Sequence, residues 1–235
     1  MIKIENIDIL GWEAAIRGMR NPMNSWDKSD SKFVDVFEDY NEFTNYYWND
    51  IELGENDHKL AMSLCKAGTD HRKFLRMITV YVDITAPFYW WKEFDTYKVG
   101  TVANSCSTMH KIADKEFTLD DFSSEHLTDS RDYGTELLNV NGEGTDIFVS
   151  PYNLLKIEIG VLNNMRKMFI ETKDKKWWWQ MIQLLPTSYN QKRTVMLNYE
   201  VLANMYHSRK NHKLDEWRRF CEFIEELPYS ELITD

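Results

Sequence analysis

Residues 86 to 112, APFYWWKEFDTYKVGTVANSCSTMHKI, pass from an aromatic block straight into a run of small and polar side chains. Gly100 supplies backbone freedom, while Thr101, Asn104, Ser105, Ser107 and Thr108 supply hydroxyl or amide partners. Lys92, Lys98 and Lys111 put positive charge nearby. Such a surface suits a phosphorylated or otherwise anionic ligand. The same pattern also fits a buried strand after an amphipathic helix, with the polar residues serving turns, and both readings stand at this level.

The second segment that could do chemistry is LPTSYNQKRTVMLNYEVLANMYHSRKNHKLDEWRR. A helix expected over about 191 to 209 separates Asn198 and Arg209 by 11 residues. That is close to three turns, so an amide and a guanidinium share one face along about 16 Å. Glu200, Asn204 and His207 follow at spacings of four and three, and make a polar stripe beside Leu197, Leu202 and Met205, the expected core contacts. Simple solvent exposure also explains such a stripe.

Other constellations carry less. His71, with Arg72 and Arg76, could form a basic or acid–base site, but a surface histidine at a helix end explains it as well. Cys106 and His110 are four residues apart, which in an extended segment is about 13 Å, too far for a thiolate and its base to meet. His207, His212 and Glu216 look loosely like metal ligands, but they span a helix end and no further ligand is evident. The GEG at 142 to 144 lacks the Lys and Ser or Thr of a phosphate loop and reads as a turn.

A chain of 235 residues, 43% apolar and 14% aromatic, can bury a sizeable core and fits one domain. With 38 acidic against 28 basic residues, the net charge of -10 argues against nucleic acid or an anionic membrane as partner. Any anionic ligand must meet a local basic cluster. The three cysteines, Cys65, Cys106 and Cys221, form neither a disulfide framework nor a zinc pattern, so a reducing cytoplasm is expected. The N-terminus, MIKIENIDIL, has acids within its apolar alternation, and neither a signal peptide nor a membrane span is expected.

These side chains need elements to position them. Residues 2 to 10 alternate as a strand, and WEAAIRGMRN follows as a short helix ended by Asn21-Pro22. Residues 23 to 56 read as an irregular excursion with some helix near 33 to 48. Residues 56 to 68 read as a helix with an Asn or Asp cap and a terminating glycine. The β-branched and aromatic run at 76 to 85 reads as a central strand, followed by the helix FYWWKEFDTY. Residues 114 to 150 read as a surface insertion or lid with a helix near 128 to 139. Helices then dominate: one from Pro151, one over KKWWWQMIQLLP, the one ending at 209, and DEWRRFCEFIEEL. Trp177, Trp178 and Trp179 sit about 100° apart on a helix and cannot all face one core, so a subunit interface or ordinary packing of two of them would cover them.

At Asn198-Tyr199-Glu200, followed by Asn204, His207 and Arg209, the chain resembles the flavin-dependent thymidylate synthases (ThyX). Their late helix reads Asn-x-Arg, with an Arg 11 residues after the Asn. Leu185-Pro186 resembles the family's Leu-Pro, Glu216-Trp217-Arg218 its Glu-Ile-Arg one residue out of register, and Gly68 with MITVYVDI its Gly-His and F-x-F-x-I strand. Of the signature Arg-His-Arg-x-x-Ser-x-Asn-Glu-x-Ser-x-Arg-Tyr, Asn104 and Ser107 match. Ser105, Met109 and His110 replace Glu, Arg and Tyr, and Lys98 stands near the central His. The resemblance implies an α+β (α/β), thymidylate synthase-complementing-protein-like domain over residues 1–235, with an early mixed sheet, a helical C-terminal third and tetrameric assembly. It implies Ser107 at the reacting centre and Lys98, Asn104, Ser105 and Arg209 around a pyrimidine nucleotide such as dUMP. Asn198, His207 and Asn204 would then lie near FAD, with NADPH and methylenetetrahydrofolate as co-substrates. The missing arginine forks matter, because methionine or tyrosine cannot grip a phosphate bidentately.

Overall fold

A computed structural model describes residues 2–34, 47–48, 50–138 and 144–235. The strands are β1 (Lys3–Leu10), β2 (Lys32–Val34), β3 (Tyr47–Trp48), β4 (Asp50–Glu52), β5 (Thr79–Pro87), β6 (Val102–Ser105), β7 (Thr135–Leu138), β8 (Gly144–Val149) and β9 (Asn190–Asn198). The α-helices are α1 (Trp12–Arg20), α2 (Glu55–Lys66), α3 (Phe88–Phe94), α4 (Thr108–Lys111), α5 (Pro151–Thr172), α6 (Lys175–Leu184), α7 (Tyr199–Arg209), α8 (Asp215–Glu225) and α9 (Glu231–Thr234). They fall into two compact units interleaved along the chain, one of residues 86–89 and 106–191, the other of residues 2–85, 90–105 and 192–235.

The larger unit is built on a five-stranded mixed sheet of order β3-β1-β5-β9-β6, in which β3 runs parallel to β1 while β5 and β6 run antiparallel to β1 and β9. Alternation sets its two faces. Val80, Val82 and Ile84 of β5 and Val195 and Leu197 of β9 are fully buried, whereas Tyr81 and Thr194 are exposed. On the open face Asp83 accepts from Thr194 Oγ1 at 2.6 Å and from Asn6 Nδ2 at 2.9 Å, and pairs with Lys192 at 2.9 Å. The Thr194 bond, followed by those from Asn6 and Lys192, outweighs burial and holds the Asp83 carboxyl down at about 2. Against the closed face, Trp90, Trp91 and Phe94 of α3 pack with Trp217 and Phe220 of α8, ring centroids 4.8–6.5 Å apart. The aromatic block therefore serves packing.

A buried ion pair ties α1 to α2. Asp57, wholly inaccessible, accepts from Arg20 Nε at 2.5 Å, from the hydroxyls of Ser29 and Ser31, and from the backbone N–H groups of Asp30 and Ser31. Burial alone would push this carboxyl up, yet Ser31, Ser29, Arg20 and Asp30 together hold it below its usual range.

The smaller unit rests on α5 and α6, which enclose Ile112, Phe117, Phe122, Leu155, Leu162 and Met181. Ser150 caps α5 through its hydroxyl and Pro151 opens the first turn. Trp178 packs against this core while Trp179 is exposed. Of the three thiols, Cys221 is buried, Cys65 half-buried and Cys106 exposed.

Several expectations change. The helix near 128 to 139 is instead a 3-10 turn at Arg131–Tyr133 running into β7, which pairs antiparallel with β8. The first part of the helix expected over about 191 to 209 lies instead in β9 (Asn190–Asn198), because the apolar residues Val195 and Leu197 alternate with polar ones and are buried every second position. The helix begins only where the Asn198 side chain accepts from the Val201 N–H and ends the strand. Thr108–Lys111 is a helical turn rather than extended chain, so the 13 Å spacing of Cys106 and His110 no longer applies. The cap of α2 comes from a distant residue: Asp30 accepts from the N–H groups of Asn56 and Asp57. Most of the helix expected near 33 to 48 lies outside the described residues, and its described flanks are strands. Gly142 and Glu143 also lie outside them, and Gly144 opens β8.

Two outcomes follow for stability. Asp57→Ala leaves the Arg20 guanidinium buried without its partner and should cost about 3–5 kcal/mol in urea unfolding. Because folding depresses the Asp83 pKa, its ionised carboxylate stabilises fully above the unfolded value of about 4 and loses that contribution as pH falls through about 2. The gap in urea midpoint between the native chain and Asp83→Asn should therefore close across that interval; a gap independent of pH would contradict the assignment.

Candidate functional site

The junction of β9 and α7 places the polar residues of the larger unit. Asn198 Oδ1 accepts from Val201 N at 3.0 Å, and Tyr199 N donates to Ile78 O at 3.1 Å, which ties the first turn of α7 to the start of β5. Gly100 lies against the same junction with φ +77°; a Cβ there would sit 2.7 Å from Asn198 Nδ2 and 3.0 Å from Val201 Cγ2. Only glycine permits that approach. Asn198 is thus the extended cap that precedes α7, so the helix expected to carry it to Arg209 on one face starts only at Tyr199, while Glu200, Asn204 and His207 lie on that helix.

At the far end of α7, Arg209 enters an aromatic and acidic surround. Its Nε donates to Tyr97 Oη at 2.9 Å and its Nη1 to Glu93 Oε2 at 2.7 Å, and its guanidinium carbon stands 4.8 Å from the Trp217 ring centroid. Trp217 Nε1 donates to the same Glu93 oxygen at 3.0 Å. His212 Nδ1 accepts from Leu214 N at 3.2 Å, so the ring proton of the neutral form sits on Nε2, which faces Glu93 Oε2 at 3.4 Å. Glu93 therefore accepts two hydrogen bonds with the His212 ring beside them, and Arg209 is held in one orientation by Glu93, Tyr97 and Trp217. Neither Glu93, Tyr97 nor Trp217 was singled out for this role from sequence. The available signal was an acid one turn before a tyrosine within the aromatic helix.

A second cluster occupies the middle of α7. Glu200, buried, faces Arg72 Nε at 3.5 Å and donates nothing but accepts from Arg76 Nε at 3.1 Å, while Asn204 Oδ1 accepts from Arg72 Nη2 at 3.2 Å. The polar stripe read from sequence is here a charged pairing, and Arg72 and Arg76 were seen only as companions of His71. His207, one turn on, is exposed with its ring edge toward Tyr206 at 5.6 Å. Tyr206 donates to Glu225 at 2.7 Å, and this bond raises its phenol to about 12.

The strand residues divide. Asn104 pairs in register with Thr194 and Ser105 with Arg193, so the two side chains project from opposite faces of the sheet. Asn104 shares the open face with Thr194. Ser105 shares the closed face with Arg193, which pairs with Asp95 at 2.7 Å and stacks on Trp91 at 4.2 Å. Lys98 is exposed in the turn between Tyr97 and Gly100. The structure thus brings Arg209 to Tyr97, next to Lys98, and Asn198 to Gly100, but does not bring Asn104 and Ser105 to one surface. Ser107 belongs to the smaller unit, where its Oγ accepts from His110 N at 3.2 Å and caps α4. Among the described residues, no group of three or more His, Cys, Asp or Glu is placed to hold a metal.

One observation bears on the cofactor implied by the resemblance. Arg72 Nε is buried and makes no hydrogen bond, its nearest acceptor standing at 3.5 Å. Arg20 Nη2 and Trp90 Nε1 share that state; what sets this cluster apart is one carboxylate, Glu200, facing two guanidiniums, of which that of Arg76 is half-exposed. The donors of Arg72 and Arg76 on the α7 face fit the phosphates of a dinucleotide.

No protein-family profile matches the chain, and no curated protein matches it. Solved structures do. Thymidylate synthase X from Helicobacter pylori, crystallised with FAD and dUMP, superposes with a TM-score of 0.64 at 14% identity, over 100% of this chain and 97% of that one. A second structure of that enzyme, also with FAD and dUMP, gives 0.63 at 15%, over 98% and 99%. The UMP/dUMP methylase PolB from Streptomyces cacaoi, bound with 5-Br dUMP, gives 0.57 at 12%, over 100% and 93%. The chain carries a fold like that of the flavin-dependent thymidylate synthases in a strongly diverged sequence.

Proposed function

We propose that the chain binds a pyrimidine nucleotide of the dUMP class and serves its reductive methylation, with FAD as cofactor and NADPH and methylenetetrahydrofolate as co-substrates. The observation that carries this reading is Arg209. Its guanidinium is fixed by Glu93, Tyr97 and Trp217, so little side-chain entropy is lost when it binds phosphate. Lys98, Asn104 and Ser105 are the further nucleotide residues, and Asn198, Asn204 and His207 face FAD. Ser107 is assigned to the reacting centre on the likeness of its segment to the family signature. Support comes from neighbours of the same fold that were crystallised with FAD and dUMP or with 5-Br dUMP.

FAD, when bound, supplies the hydride. The protein's own part is to bind and orient: Arg209 neutralises the nucleotide, and Glu93 keeps the guanidinium from swinging into solvent. We read residues 1–235 as one functional domain, tetrameric and cytoplasmic. The oligomer is supported by the exposed aliphatic residues Leu154, Ile157 and Val161 along α5, and the compartment by three unpaired cysteines. No helix among the described residues is long and apolar enough to cross a membrane.

A second reading, a homo-oligomeric nucleotide-binding scaffold without chemistry, is favoured by the engagement of the Ser107 hydroxyl as a helix cap. The two separate on flavin. Under the enzyme reading the purified protein is yellow, or takes up added FAD, and dUMP raises its melting temperature; a colourless protein stabilised by dUMP alone leaves the scaffold. Arg209→Ala should weaken dUMP binding by about 2 kcal/mol in isothermal titration, with unfolding changed far less. Unaltered dUMP affinity in that variant would refute the placement of the nucleotide.

A further inference from the structure

Arg72, Arg76 and Glu200 do not balance. One buried carboxylate faces two guanidiniums, Arg72 Nε at 3.5 Å and Arg76 Nε at 3.1 Å, so one positive charge is uncompensated within the cluster. The Arg72 side chain is only 17% exposed and that of Arg76 53%, so the first is shielded from water while the second reaches it. Arg72 Nε is one of three buried side-chain atoms without a hydrogen-bond partner among the described residues. The structural Arg20 also leaves one buried N–H open, but it is matched one to one by Asp57; what sets the Arg72 cluster apart is its surplus charge together with the half-exposed Arg76. Asn204, bonded to Arg72 Nη2 at 3.2 Å, fixes the plane of the fork without closing it. Nearby Cys65 adds no negative charge, because burial pushes its thiol up to about 11.

In the family pattern the third residue of the Asn-x-Arg triplet is an arginine, and here it is Glu200. The acid at position 200 has not emptied the face of charge: the cations come from the 3-10 turn of Lys73–Met77 and the residue before it. Resting on the FAD reading above, we infer that Arg72 and Arg76 form the site for the phosphate groups of the cofactor, with Glu200 as the positioning residue that sets both guanidiniums. Arginine suits this because its planar fork meets phosphate oxygens bidentately and it stays charged when shielded from water.

The test uses the full chain with FAD, ADP and riboflavin as probes in equilibrium dialysis, and dUMP as an independent ligand. Arg76→Gln removes a half-exposed charge at little risk to folding; it should raise the Kd for FAD and ADP about tenfold or more and flatten their dependence on salt, leaving riboflavin and dUMP unaffected. Arg72→Lys keeps the charge but loses the fork, and should weaken FAD and ADP in the same direction. The inference is overturned if Arg76→Gln binds FAD and ADP as the native chain does, if the native chain holds riboflavin as tightly as FAD, or if it binds dUMP but neither FAD nor ADP. That last outcome leaves the nucleotide reading standing. Failure of dUMP binding with an Arg76-dependent FAD site would instead refute the nucleotide reading and support this one.

Discussion

One junction governs the larger unit: the point where β9 stops being strand and α7 begins. Val195 and Leu197 anchor β9 in the core, Asn198 turns its carboxamide back onto the Val201 N–H, and Tyr199 N reaches across to Ile78 O. A strand and a helix joined without any loop have a fixed rotational phase, so the face on which Glu200 and Asn204 emerge, and the end at which Arg209 emerges, are set together. Gly100 adds a steric constraint from outside, since a side chain there would collide with the capping amide itself. Loss of the cap would thus disturb two charged clusters that do not touch each other.

The cations of this acidic chain follow a common pattern with two outcomes. Arg20 meets a carboxylate saturated by five donors and sits entirely inside the protein, which is the chemistry of a structural strut. Arg20 Nη2 and Arg72 Nε are both buried without a hydrogen-bond partner among the described residues; Arg72 differs in sharing its acid with a second guanidinium that is half-exposed, and Arg209 in lying beside the Trp217 ring. An acid in such a place orients the guanidinium while taking only some of the donors of its fork. In a chain of net charge -10, positive charge is here localised and oriented rather than spread.

Much of the fold was legible where local pattern and burial agree. The alternation of β1 and β5, the Pro-initiated α5 and the amphipathic α8 all follow from residue spacing. Residues 191–198 failed because a stretch continuous with a good helix was read at the helix period, although its buried residues recur every second position. The site was legible in its residues and not in its pairings. Glu200 looked like solvent-facing polarity because nothing in the sequence says that Arg72 and Arg76, more than a hundred positions earlier, converge on it. Asn104 and Ser105 looked like one cluster, whereas a strand sends neighbours apart. The Asp30 cap of α2 is the same kind of fact, a local requirement met from a distance.

The three thiols differ in a way that reaches into experiment. Burial lifts Cys65 and Cys221 to about 11, so near neutrality both remain protonated and poorly nucleophilic. Cys106 is exposed, and it lies directly between Ser105 and Ser107. A maleimide fluorophore would consequently enter at a single position, giving a native-sequence optical reporter beside the two serines without any cysteine having to be engineered in or out.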